Sequence, residues 1–367
     1  MKKFVNYINE SDKHISLDGL SEKEQIRKVK EKWWNMKYIS NPSEKVQLEF
    51  AKEHGWAIRA ILEKGIIPSE QVQLEAVKDS GWILKDLVEI VINISENVKL
   101  AAVKSRGNSI QFIDNPSEEV KLEAVKSDGR AIQFINNPSE ELKMIAVKEN
   151  GLSIEYIRNP SLQIQLEAVK QNGFALRLIT NPSEQVQLEA VKKYGKSIQY
   201  IKNPSLQVQL EAVRQNGLVI NDIKNPSERV KLEAVKYFGD AIKIIEKPSE
   251  KLKMTAVISN GYSIRYIESP SLQIQLEAVK QNINSIFYIK KPEKEVVFYC
   301  ITNNPELLKI RHNKVPEQKL KTNYFQKLPL YIQKILVESN PLFVTIIPNL
   351  HPSLKDYLFR LTNMGVF

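Results

Sequence analysis

The sequence predicts an all-α fold, an α-solenoid of about twelve helix-turn-helix repeats, each 22–26 residues long, with a helical cap at either end. Three observations predict it. The block NPSEQVQLEAVKKYGKSIQYIK, from Asn181 to Lys202, is followed at once by NPSLQVQLEAVRQNGLVINDIK, from Asn203 to Lys224. Repeat starts fall at Pro42, Pro68 and Ile94, which are 26 apart, and then at prolines every 22 residues from Pro116 to Pro292. A glycine stands 13 residues after each start, from Gly55 to Gly261, and only Ile283 breaks that series.

In chain order, residues 1–19 are expected to cover one end of the array, and Leu20–Asn41 places Ile26, Val29, Met36 and Ile39 in register as a worn first repeat. The two early units are lengthened by ILEKGII before Pro68 and LVEIVIN before Ile94, read as loop or helix extensions of one plan. Within a typical unit, Asn181 offers an N-cap acceptor, Pro182 fits the first helical position, and Glu184 is placed to reach back. Val186, Leu188, Ala190 and Val191 then form an apolar side, and Gly195, free to adopt positive φ, is expected to end the helix. A shorter segment carrying Ser197, Ile198, Tyr200 and Ile201 closes the unit. One such unit cannot bury its apolar face, because isolated helices of about 12 residues are marginal in water, so the repeats must stack. Residues 292–367 read as a divergent helical cap, in which Pro352, Ser353, Leu358, Leu361 and Gly365 echo the unit. The expected organisation is therefore 1–19, 20–291 and 292–367.

Composition bounds the function. With 367 residues, 42% hydrophobic and 26% charged, the chain belongs to the folding class and is too long for one ordinary core. The net charge of +10 suggests nucleic acid, but residues 42–291 carry only +3, and the ends supply +3 and +4. The single Cys300 cannot form an internal disulfide, and His14, His54, His312 and His351 lack metal-ligand spacing. No secretory leader or apolar span is evident, so the expected location is intracellular and cytoplasmic. Neither a cofactor nor a metal is expected. The pair Cys300 and His312 is weak evidence for catalysis, and no phosphate-binding glycine loop or nucleophile-base pattern occurs, so the chain reads as a non-enzyme.

The unit NPSxxVQLEAVKxxGxxIxYI resembles the short helical repeats of unknown function found in giant-virus, phage and bacterial proteins. More distantly, it is similar to the leucine-rich repeat variant. The resemblance covers about three quarters of the chain. It implies a right-handed α-solenoid with a binding role, and makes a phage or viral factor acting on a host complex, such as an inhibitor in the host cytoplasm, an expectation. It supplies no catalytic residues.

Three columns of the repeat are candidates for function. The offset of Lys192 is basic in most copies, including Lys104, Lys126, Lys148, Lys170, Arg214 and Lys236. With Glu189 three residues before Lys192 it fits a helical ion-pair stripe, and the alternative is a track for phosphates. The aromatic offset, Tyr38, Phe112, Phe134, Tyr156, Tyr200, Tyr266 and Tyr288, fits core or edge packing better than base stacking, because isoleucines flank it. The offset after the glycine is variable: Trp34, Trp56, Trp82, Asn108, Arg130, Leu152, Phe174, Lys196, Leu218, Asp240, Tyr262 and Asn284. A column that tolerates such variety faces solvent or a partner, and tryptophan is enriched at interface hot spots. The three tryptophans equally fit a seal over the N-terminal end or the extensions. Tyr194, Tyr237 and Phe238 lie beside this column and extend it. The leading expectation is a protein-binding scaffold using the variable column, and the alternative is a nucleic-acid-binding solenoid using the basic stripe and the basic ends.

Overall fold

A computed structural model describes residues 16–304, together with residues 330, 333–334, 351–354 and 356. The expectations for residues 1–15, for His312 and for Leu358, Leu361 and Gly365 lie outside the described residues. Among the described residues every regular element is an α-helix or a 3-10 helix. The chain divides into two compact units, Met1–Lys193 and Tyr194–Phe367. Each is an all-α solenoid stack in which α-helices alternate with short 3-10 helices and pack in series on their neighbours. In the first unit the α-helices run from Glu22–Glu31 to Glu184–Lys193. The second runs from the 3-10 helix Gly195–Tyr200 to the α-helix Lys294–Asn303. The two early extensions are helical, Arg59–Leu62 and Leu84–Ile90.

The helices start later than the asparagine predicts. Serine is the N-cap: Ser139 Oγ accepts from the Leu142 N–H at 3.2 Å and Ser205 Oγ from the Val208 N–H at 3.3 Å. Proline therefore precedes the cap, and the asparagine before it has another task. Asn115, Asn137, Asn159, Asn181 and Asn225 hold φ of 47–50°, a left-handed conformation that asparagine tolerates better than other non-glycine residues. Lys247 and Ser269 adopt φ 47° in the same column without that tolerance.

The first-turn glutamate also differs from expectation. A capping box forms at Ser21, through Glu24 rather than through Glu22, which holds the Glu184 offset and accepts from Ser43. Elsewhere the glutamate accepts from the cap serine of the following repeat, as in Ser95 to Glu70 at 2.6 Å and Ser249 to Glu228 at 2.9 Å. Each such serine links two repeats. In many units the Gln187-type side chain closes the turn by donating to the proline carbonyl five residues back, as Gln165 and Gln209 do at 2.9 Å.

The glycine is needed for room and not for its φ. Among the described glycines only Gly65, in an extension, has positive φ. The helix-ending residue before the repeat glycine is extended, with φ −150° at Asn150 and −145° at Asn172. A Cβ on Gly261 would lie 2.5 Å from the Ala278 carbonyl oxygen of the next helix and 2.8 Å from Ser285 Oγ. At Gly239 the Ala256 oxygen would be 2.6 Å away, and at Gly107, Gly129 and Gly151 the corresponding carbonyls would be closer still. The alanine is fully buried, and its carbonyl also accepts the N–H that ends its helix, as Asn282 donates to Ala278 at 2.9 Å. Around this contact Val120, Val125, Ile132 and Ile135 and most of their counterparts are buried, each contributing about 1.5–3 kcal/mol by leaving water. At the edges of the array both partners change together: Trp33 with Phe50 occupy the glycine and alanine offsets at one end, Ile283 with Cys300 at the other.

Gly261→Ala should destabilise the chain by about 1–3 kcal/mol in urea denaturation, whereas at a roomy glycine of ordinary φ the same change gains about 0.4–1 kcal/mol. In the same assay Ser269→Asn should raise stability by up to about 1 kcal/mol, because asparagine relieves the left-handed strain.

Candidate interaction face

In six units the residue before the glycine offset sets the backbone of the 3-10 helix after it, whereas Lys32, Ser80, Arg106, Tyr194 and Phe238 make no such capping bond. Asp128, Asn150, Asn172, Asn216, Asn260 and Asn282 accept through their side chains from the N–H two residues on, at 2.9–3.1 Å. This Asx geometry starts the 3-10 helix and presents the post-glycine residue at its beginning. None of the twelve residues in that column is buried: Trp34, Trp56, Trp82, Arg130, Lys196, Leu218 and Asn284 are exposed, and Asn108, Leu152, Phe174, Asp240 and Tyr262 are half-buried. Tyr194, Tyr237 and Phe238 are exposed beside it.

The aromatic offset lies next to this column, one repeat further on. Trp82 meets Phe112 at 5.2 Å between ring centroids, and Tyr262 meets Tyr288 edge-on at 5.5 Å. Phe134, Tyr156, Tyr200, Tyr266 and Tyr288 are exposed, so this is edge packing, and the two columns form one ridge along the 3-10 helices of each unit.

In the first unit the ridge concentrates all four tryptophans. Trp33, half-buried, contacts Trp34 at 5.8 Å and Trp56 at 4.7 Å, both edge-to-face. Trp34, Trp56 and Trp82 remain 38%, 49% and 39% exposed. Cations cover two rings: Lys32 lies 5.7 Å from the Trp34 ring and Arg106 5.1 Å from Trp82. Between Trp56 and Trp82 a cleft of about 300 Å³ is lined by Arg59, Ser80, Lys85 and Asp86. Arg59 donates to both Asp86 oxygens at 2.7 Å, which holds its guanidinium above the usual range.

In the second unit the ridge is polar and aromatic. Asp240 accepts from Asn260 at 3.0 Å, Ser263 at 2.7 Å and Arg265 at 2.7 Å, and Arg265 lies 4.7 Å from the Tyr266 ring and 5.9 Å from Tyr288. Lys236 lies 5.8 Å from the Tyr237 ring.

The basic stripe is exposed and paired in part, at Lys104, Lys126 and Arg214 among its seven candidate residues. Lys104 and Lys126 both reach Glu123, at 3.7 and 3.0 Å, so Glu123 joins two repeats. Arg214 pairs with Glu233 at 2.6 Å and Glu211 at 3.8 Å. Glu49 takes Lys52 at 2.7 Å and Lys30 at 2.9 Å, which together hold its carboxyl down at about 2. Lys148, Lys170 and Lys192 form no ion pair among the described residues.

Cys300 is fully buried, and burial pushes its thiol up to about 12, which makes it a poor nucleophile at neutral pH. Among the described residues no group of three or more His, Cys, Asp or Glu is placed to hold a metal ion, and no helix is long and apolar enough to cross a membrane. No protein-family model, no curated protein and no solved structure matches the chain.

Variability within one sequence located the post-glycine column. The cations over the tryptophans and the Asp240 hub had no such signal, because Arg106 and the partners of Asp240 come from neighbouring repeats.

Because the folded Glu49 carboxyl sits near 2 against an ordinary 4.5, its stabilising effect is complete above about pH 4.5 and is lost as pH falls toward 2. Glu49→Gln should therefore flatten the acid limb of a stability–pH curve between those values, measured by thermal unfolding across pH.

Proposed function

We propose that the chain is a non-enzymatic helical-repeat scaffold that binds another protein through the ridge of its 3-10 helices, anchored at Trp34, Trp56 and Trp82. One observation carries the proposal. Packing is supplied by the α-helical core and the glycine–alanine contact, yet large aromatic side chains stand exposed at the offset those contacts leave free. Exposing three neighbouring tryptophans costs hydrophobic stabilisation, and such residues dominate the energy of protein interfaces. Arg130, Phe174, Tyr194, Tyr237, Phe238 and Tyr262 supply the variable remainder of the surface on their respective units.

Nucleic-acid binding is the second reading, favoured by the unpaired Lys148, Lys170 and Lys192 on successive helices. It requires affinity that falls steeply with salt. The paired state of Lys104, Lys126 and Arg214 argues for the protein scaffold, since a carboxylate beside each cation repels phosphate.

Replacing Trp34, Trp56 and Trp82 together by alanine should weaken capture of the partner by at least about 30-fold, with helical circular dichroism retained. Capture unchanged at that level, or bound material removed by nuclease, transfers the function to the basic stripe.

A further inference from the structure

The proposed reading leaves the partner's chemistry open, and the surroundings of the tryptophans narrow it. Four cations stand at the aromatic patch: Lys32 and Arg106 over the Trp34 and Trp82 rings, Arg59 and Lys85 in the cleft wall. Lys37 and Lys64 belong to the same segments, with the Lys37 ammonium 4.7 Å from the Tyr38 ring and Lys64 donating to the Lys37 carbonyl at 2.9 Å. The carboxylates on these segments are Glu31, Glu53, Glu63, Asp79, Asp86 and Glu89. Glu31 is held by Lys28 at 3.3 Å, Glu53 by Lys30 at 3.0 Å and Asp86 by Arg59, and Asp79 accepts the Gly55 N–H at 3.0 Å, so only the exposed Glu63 and Glu89 stand unengaged against Lys32, Lys37, Lys64, Lys85 and Arg106. The field over the patch is positive.

The ring arrangement separates two kinds of anion. A nucleobase needs a free flat ring to stack on. Here Lys32 and Arg106 occupy faces of Trp34 and Trp82, while Trp33 packs edge-to-face against Trp34 and Trp56. The concave site among the rings is the cleft between Trp56 and Trp82, whose volume of about 300 Å³ suits one or two side chains.

We propose, resting on the scaffold reading above, that the tryptophan patch binds an acidic segment of a partner protein that places an apolar or aromatic side chain between Trp56 and Trp82 and its carboxylates on Lys32, Lys85 and Arg106. The cations draw the segment in and the buried side chain holds it.

The chain carries its own probe, because all of its tryptophans, Trp33, Trp34, Trp56 and Trp82, lie in this patch. Intrinsic fluorescence of the full chain is titrated at moderate salt with a short peptide repeating Glu-Leu-Glu-Phe, with its counterpart carrying lysine for glutamate, and with oligothymidylate of equal length. The expected result is a saturable change with the acidic peptide, at least about ten-fold tighter than with the lysine peptide. Lys85→Glu combined with Arg106→Glu should weaken the acidic peptide by about ten-fold or more and improve the lysine peptide. That reversal shows that a weakened variant is still folded. Equal response to both peptides overturns the acidic preference and leaves the scaffold reading standing. A response to oligothymidylate alone overturns both. No response to the acidic peptide, or fluorescence that changes with protein concentration alone, overturns the inference, the latter assigning the face to a second copy of the chain.

Discussion

The close approach of each repeat glycine to the alanine carbonyl of the next helix is the contact on which the rest of this structure depends. It sets how near one 3-10 helix lies to the following α-helix, and a single Cβ would prevent it. The alanine is fully buried, and its carbonyl is used twice, against the glycine and as acceptor for the helix-ending N–H. Repeating this contact at a fixed interval forces a fixed interval on everything around it, from the valines that fill the core to the serines that join one cap to the previous helix. At the first and last described pairs the residues are bulkier: Trp33 with Phe50 and Ile283 with Cys300 hold the glycine and alanine offsets.

A fold held by so narrow an interior leaves its ridge free. The Asx residue before the glycine fixes the backbone of the post-glycine position through its N–H, which any side chain but proline permits. Arginine, leucine, phenylalanine and tyrosine alternate after such a residue without altering the stack, whereas Trp82, Lys196 and Asp240 follow Ser80, Tyr194 and Phe238, which make no such bond. Framework and surface are thus separated: the ridge can be rewritten residue by residue while the glycine–alanine spacing stays constant.

Much of the fold was legible because its period is written in the sequence. The proline and glycine columns located the repeat helices between Pro42 and Pro292, and the worn repeat at Leu20–Asn41 holds a helix and a 3-10 helix as its apolar register implied. The caps were misassigned for an identifiable reason. Asparagine and serine are equally good N-cap residues, and nothing local in Asn-Pro-Ser says that the asparagine is spent on a left-handed turn instead. The glycine was found for the wrong cause, since positive φ and close approach leave the same residue in the sequence. Of the interaction face, the variable column could be read from its variability. The cation over Trp82 could not, because Arg106 lies 24 residues from it and meets it only once the repeats stack.

The central claim is that packing occupies the α-helices and recognition occupies the 3-10 ridge. Hydrogen–deuterium exchange of the full chain, alone and with its captured partner, tests it most directly. Partner-dependent protection should concentrate in the segments Trp33–Tyr38, Gly55–Leu62 and Gly81–Ile90, leaving the α-helices that carry Lys148, Lys170 and Lys192 unchanged. Protection confined to those lysine-bearing helices, with the tryptophan segments unaltered, would contradict it.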